Sequence, residues 1–223
     1  MLKATSKGIF ITLEGGEGSG KSTLLHQLQD ILAQRGYEVI KTREPGGSKL
    51  GEKMREWLLM QDSSVSIGKQ AELLLFLAAR AQHIEELILP ALNAGKVVLC
   101  DRYNDSTIAY QGGARGLEVS YVQELCRLVC GQVQPDLTLF LDVDPAIGLL
   151  RTQGLSKEQA LSGQLDRIEA EKLDFHLQVQ ETFHWLWKQE PKRIWHIDAN
   201  LSQAEVKQEA LKAIDTILFT PTF

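Results

Sequence analysis

The chain has 223 residues, of which 43% are hydrophobic and 24% charged, with a formal net charge of −5. That length suits one α/β domain, or at most two small ones, and the acidic balance excludes a general nucleic-acid-binding surface. Three cysteines, Cys100, Cys126 and Cys130, are too few and too badly spaced for a disulfide framework. Cys126 and Cys130 read instead as buried structural thiols on a helix. The opening MLKATSKGIF lacks the apolar run of a secretion signal, and no stretch of about 18 apolar residues exists. The expectation is a reduced, cytoplasmic protein with no membrane partner.

In chain order, GIFITLE (8–14) is a short apolar run ending at glycines, which predicts a buried strand. After GGEGSGK the period changes. Leu24, Leu25, Leu28, Ile31 and Leu32 share one helical face, and Gly36 stops that helix. YEVIKT (37–42) predicts a second strand, REPGGSKLG a loop, and the residues through Arg55 and Leu59 a short helix. A long helix over Gln70 to Asn93 is apolar on most sides, so it should be buried between layers or against a partner. KVVLCD (96–101), LTLFLDV (137–143) and RIWHID (193–198) complete five strands. Asp144 should cap the helix that Pro145 opens. Apolar strands alternating with helices predict a five-stranded parallel sheet with helices on both faces, in a single α/β domain spanning 1–223.

Residues 15–22 match G-x-x-x-x-G-K-[ST] after a strand and at the start of a helix, the setting a P-loop requires. Glycines let successive N–H groups approach phosphate oxygens, and the helix adds its positive end. Gly15, Gly16, Glu17, Gly18, Ser19, Gly20, Lys21, Ser22 and Thr23 are thus candidates to hold a nucleoside triphosphate. Lys21 would meet the β/γ-phosphates and the Ser22 hydroxyl a Mg²⁺ ion. By itself the motif leaves kinase, ATPase motor and GTPase switch open. No guanine-reading N-K-x-D follows a strand, and the chain is short for a motor with its appendages.

Arginines at element ends add a second anion site. Arg43 ends the second strand, and Arg102 follows Asp101 at the end of the third, where ligands gather in doubly wound sheets. Asp101 suits either a Mg²⁺ partner or a helix cap. Arg80 shares the face of Leu73, Phe76 and Ile84, where a guanidinium must find either an anionic ligand or an internal partner such as Glu44 or Asp101. His83 reads as a helix-face histidine with one ordinary hydrogen bond, and Trp185 and Trp187 as partly buried core. Asp142 and Asp144 read as a strand end and a cap rather than a metal pair. Two arginines aimed at one pocket match the oxygens of a phosphomonoester, which suggests a triphosphate donor facing a monophosphate acceptor.

TREPGG (42–47), DRYNDSTIAYQGGARGL (101–117) and LDRIE (165–169), together with the P-loop, resemble bacterial thymidylate kinases over essentially the whole chain. The resemblance implies the P-loop kinase fold, transfer of the ATP γ-phosphoryl to dTMP, Mg²⁺ as cofactor and a homodimer packed through helices. It implies that Arg102 touches both phosphates near the point of transfer, while Arg55 and Arg80 grip the dTMP phosphate. Phe76 would stack on thymine, Thr107 and Gln111 would line the base edge with Ser106 close by, and Tyr110 would lie against the deoxyribose. Glu17 would meet the 3′-hydroxyl, while Glu44 and Asp101 would organise Mg²⁺ and its waters. Rival readings are a kinase for another pyrimidine nucleotide and a nucleotide-binding regulator without catalysis.

Some family members carry a catalytic arginine in the P-loop just after the acidic residue, a position held here by Gly18. The resemblance therefore implies the type that supplies the cation from a lid, expected at about 151–167. That segment has Arg151 and Arg167 at its edges and Lys157 in the middle, where family lids are shorter and richer in arginine. Arg151 is the first candidate for the catalytic cation and Lys157 the second.

Overall fold

The strand β1 (Ile9–Glu14) runs through the middle of the sheet and is buried on both faces. Ile11 and Leu13 point to one core, while Phe10 and Thr12 point to the other side, where the Thr12 and Thr138 hydroxyls lie 2.8 Å apart. The computed structural model describes residues 8–60, 66–159 and 166–218, with only the backbone for 153–159. Four further strands pair in parallel: β2 (Val39–Arg43), β3 (Val97–Asp101), β4 (Leu137–Asp142) and β5 (Ile194–Asp198), in the order β2-β3-β1-β4-β5. The parallel five-stranded sheet predicted from the apolar runs is observed, with each strand beginning or ending within about two residues of its predicted bounds, ordinary scatter for element ends.

One face is covered by α1 (Lys21–Gln34) and α9 (Gln203–Leu218), whose Leu24, Leu28, Leu32, Ala210 and Ile214 pack on Leu99, Leu139 and Ile197. The other face carries α3 (Lys69–His83), α6 (Val119–Cys130) and α8 (Leu173–Gln189). There Leu73, Leu77, Val122, Val179 and Phe183 close over Phe140. The three cysteines are free and buried. A short helix α2 (Lys49–Leu59) precedes α3. The helix expected over 70–93 is α3 continued through a π turn, Ile84–Ile88, into α4 (Leu89–Asn93). It is not buried all round, because Leu74 and Leu89 face outward. Among the described residues no helix is long and apolar enough to cross a membrane.

Parallel register brings Glu14, Arg43, Asp101, Asp142 and Asp198 to one edge of the sheet. After Asp101 the chain turns through Arg102 at φ 70°, then forms α5 (Asn104–Thr107) and a π segment, Ile108–Ala114. After β4, α7 (Pro145–Gln159) starts on the Asp144 cap, whose Oδ1 accepts the Ala146 N–H at 2.8 Å. This helix lies against the glycine loop with no side chains between them. A Cβ on Gly148 would sit 2.2 Å from the Glu17 carbonyl oxygen, and one on Gly18 (φ 63°) 2.0 Å from the Gly148 carbonyl oxygen. Of the expected lid, residues 160–165 and the side chain of Lys157 lie outside the described residues.

Alanine normally stabilises a helix interior over glycine by up to about 1 kcal/mol. At position 148 the clash with a backbone oxygen reverses that sign, since overpacking a tight contact costs roughly 1–3 kcal/mol. Gly148→Ala is therefore expected to lower the thermal midpoint, by roughly 2–4 °C per kcal/mol for a chain of this size. A raised midpoint in differential scanning calorimetry would show that helix and loop part freely.

Candidate active site

The residues singled out from sequence converge on one cavity of about 850 Å³ at the C-terminal edge of the sheet. Glu17 through Thr23 form its floor, with Glu44, Arg55, Phe76, Arg80, Asp101, Arg102, Ser106, Thr107, Tyr110, Gln111 and Arg151 around it. Gly15 and Gly16 do not line it, but their carbonyls accept from Lys21, and Gly15 O also from Arg102.

Lys21 folds back over the loop and donates to Gly15 O (3.1 Å), Gly16 O (2.7 Å) and Ser19 Oγ (3.1 Å). Arg102 reaches the same point from β3, its Nη1 donating to Gly15 O at 2.9 Å and to Ser106 Oγ at 3.3 Å. Two cations thus share one carbonyl oxygen. Burial first, and Arg102 second, push the Lys21 ammonium down to about 8. Glu17 compensates. Its Oε1 accepts from Arg102 Nη2 at 2.6 Å and from the Tyr110 hydroxyl at 2.8 Å. Burial would raise the Glu17 carboxyl, but Arg102 and then Lys21 outweigh it and hold it at about 2. The Arg102 guanidinium also lies 5.0 Å from the centre of the Tyr110 ring.

Beneath this cluster sits Glu14, a residue the sequence reading did not single out because it closes an otherwise apolar strand. It is fully buried and accepts the Tyr103 N–H at 2.7 Å and the Ser106 hydroxyl. Burial, then neighbouring Asp105, raise its carboxyl to about 7. Glu14 thereby pins the turn that carries Arg102 and fixes the Ser106 rotamer.

The Ser22 hydroxyl donates to Asp101 Oδ2 at 2.8 Å, giving a hard-oxygen pair at the loop that suits a hydrated Mg²⁺ ion. Glu44, the third metal candidate, is placed differently. Its Oε2 takes Arg80 Nε at 2.6 Å and its Oε1 faces His83 Nδ1 at 2.9 Å, all within the protein. Each oxygen carries one internal hydrogen bond, so any part Glu44 takes toward a metal's waters runs through its remaining lone pairs, beside Ser22 and Asp101.

Arg80, 2% exposed, finds the internal partner weighed from sequence. Besides Glu44 it donates to Asn104 Oδ1 (3.0 Å) and Thr107 Oγ1 (2.9 Å), so it fixes the wall of the cavity as well as lining it. His83 has two partners rather than one, because its Nε2 also meets Thr42 Oγ1 at 2.7 Å. Gln111 donates to Glu72 at 2.8 Å, while Arg55 Nη1 is held by Pro45 O at 3.0 Å. Phe76 lines the cavity from α3.

A second group of lining residues surrounds Arg151, whose Nη1 donates to Ala199 O at 3.1 Å and to Gly18 O at 3.4 Å. Thr152, Leu201 and Gln203 belong to it. Arg167, at the other edge of the expected lid, is structural. It donates to Leu58 O and joins Arg115 on the buried Glu72. Asp166 and Glu169 of LDRIE also line the cavity, a position the sequence reading left unassigned.

The arrangement is a phosphate loop facing an arginine-lined pocket. Residues 13–210 match the family model described as thymidylate kinase. A thymidylate kinase of Protochlamydia amoebophila is 65% identical over 94% of this chain and 93% of its own length. One from Shouchella clausii is 46% identical over 96% of this chain and 98% of its own. The crystal structure of a thymidylate kinase from Ehrlichia chaffeensis superposes with a TM-score of 0.73 at 34% identity, covering 94% of this chain and 99% of that one. On shared sequence and fold, this chain belongs to the thymidylate kinase family.

Proposed function

We propose that the protein transfers the γ-phosphoryl group of ATP to dTMP, giving dTDP and ADP, as a single domain with a lid at about 151–167. The observation that carries this reading is the convergence of Lys21 and Arg102 on Gly15 O. One cation comes from the donor's loop and the other from the acceptor's wall, so an anion passing between the two sites meets both. The acceptor phosphate is nucleophilic enough at neutral pH to need no general base, so the residues' work is alignment and charge neutralisation.

In this reading Lys21 leaves the loop carbonyls for the β/γ-oxygens of the donor. Arg102 spans both phosphates, and Arg55 holds the acceptor phosphate with Arg80 behind it. Ser22 and Asp101 would hold Mg²⁺, which neutralises the phosphate charge. Glu17 Oε2, which carries neither of the Arg102 and Tyr110 bonds, takes the 3′-hydroxyl. Tyr110, fixed against Glu17 and Arg102, leaves little room for a 2′-hydroxyl. Phe76 stacks on thymine, with Thr107 and Gln111 at the base edge. Arg151, anchored where α7 meets the loop, supplies the lid cation.

We also infer a cytoplasmic homodimer. Gln70 Nε2 donates to the Tyr121 hydroxyl, so Leu74, one turn further along α3, joins exposed Tyr121 and Leu128 of α6 in an outward apolar strip. Leu74→Glu is the variant to weigh by light scattering, and a mass unchanged from wild type would dismiss this surface.

With ATP and Mg²⁺, ADP release is expected with dTMP and not with dCMP, UMP or dGMP, and more weakly with dUMP. Turnover of every acceptor alike would overturn the substrate assignment. Arg102→Ala is expected to lower kcat/KM by about 10³ or more. Arg151→Ala should lower kcat at saturating substrates by at least ~10-fold, and a near-normal kcat would remove Arg151 from the mechanism.

Lys21 titrates near 8 without ligand, and triphosphate raises it. ATP binding is therefore expected to take up protons between pH 8 and 9 and to weaken as the pH rises through that range. Calorimetry in buffers of different ionisation enthalpy reads this directly, and Lys21→Met should abolish it.

A further inference from the structure

Among the described residues, phosphoryl transfer leaves one cluster of ligating side chains unused, on the α8 face of the sheet. Asp142 ends β4, two residues after Phe140, so both point to the same face. His196 of β5 pairs in register with Phe140, and His184 comes down from α8. Nε2 of His184 lies 2.7 Å and Nε2 of His196 2.9 Å from the same oxygen, Asp142 Oδ2. The three ligand atoms all lie within 4.8 Å of one another.

Each member is held from behind. Gln180 Nε2 donates to the other carboxylate oxygen, Asp142 Oδ1, at 2.8 Å. Trp187 stacks on the His196 ring at 4.5 Å with 21° between planes, and the Phe140 ring packs edge-on against both imidazoles. Supporting contacts of this kind orient metal ligands. Side-chain exposures of 38% for His184, 28% for His196 and 16% for Asp142 leave one side of the cluster open to water.

We propose that Asp142, His184 and His196 form a binding site for a divalent transition cation of the Zn²⁺ class, separate from the Mg²⁺ of the reaction. Two imidazole nitrogens and one carboxylate oxygen are borderline donors that favour Zn²⁺, Co²⁺ or Ni²⁺, whereas Mg²⁺ and Ca²⁺ favour all-oxygen shells. Bonds of about 2.0–2.1 Å in a tetrahedral shell place ligand atoms roughly 3.3 Å apart. The triangle at Asp142 therefore opens by only about half an ångström, within reach of side-chain rotation. Three protein ligands leave the fourth position to a water on the open side. The ion would join β4, β5 and α8, elements far apart in the chain. It would also stiffen the strand end whose Leu141 carbonyl abuts Gly15 of the phosphate loop.

The test uses the full chain, stripped with chelator and free of nucleotide, titrated with ZnCl₂ by calorimetry and with CoCl₂ by visible absorption. One site per chain with micromolar or tighter affinity is expected, together with Co²⁺ ligand-field bands, a thermal midpoint raised by Zn²⁺, and no competition from equimolar Mg²⁺. His184→Asn and His196→Asn should each weaken Zn²⁺ by about tenfold or more and abolish the Zn²⁺-induced rise in midpoint. Both variants should keep their dTMP turnover with Mg²⁺ and ATP, which also reports that they fold. Failure of wild type to bind saturably up to millimolar Zn²⁺ would overturn the proposal. So would stoichiometric binding retained in both variants, which would place the ion elsewhere on the chain. Because His184 is the more exposed of the two histidines, its variant keeps the test decisive should His196→Asn not fold.

Discussion

Everything at the site turns on the Gly15 carbonyl oxygen, which holds Lys21 at 3.1 Å and Arg102 at 2.9 Å. Like charges this close repel, and the low-dielectric floor strengthens the repulsion. Glu17 offsets it on both sides, through its ion pair with Arg102 and its charge near Lys21. A phosphate entering the ligand-free site adds negative charge beside both cations. Binding and charge neutralisation become the same event.

That convergence depends on backbone details well away from any ligand. Parallel register sets Leu13 of β1 beside Asp101 of β3, and the Arg102 N–H then bonds Leu13 O at 3.0 Å. The turn takes Arg102 to φ 70°, a conformation costly for a non-glycine residue and held here by buried Glu14 through the Tyr103 N–H. Strain, buried acid and guanidinium form one unit. Glu14 touches nothing that reacts, yet it decides where Arg102 points.

The sheet, the phosphate loop and the gathering of arginines were legible because each rests on local pattern: apolar runs, glycine spacing, charge at strand ends. What sequence left open was the choice among partners distant in the chain. Arg80 could have faced a ligand or an internal acid, and only the fold brings Glu44 to it. Glu44 likewise gave no local sign that it would hold Arg80 and His83 within the wall. Trp185 was expected to be partly buried and is exposed, because α8 turns His184 and Trp187 toward the sheet instead. Asp142 was read as a bare strand end, since nothing local connects it with histidines 42 and 54 residues away. Glu14 was hidden by its own strand, whose apolar pattern gives no reason for a buried acid at its end.

The contact between Gly18 and Gly148 has a mechanical side. With no side chain to act as a cushion, loop and helix meet backbone to backbone, and this contact braces α7 against the loop. From Gly148 to Gln159 the helix forms an arm of about 16 Å at 1.5 Å per residue. A tilt of a few degrees at that fulcrum swings the far end by roughly an ångström, while Arg151, less than one turn along, hardly moves. Any tilt about that contact is therefore smallest at Arg151 and largest at the far end of the helix.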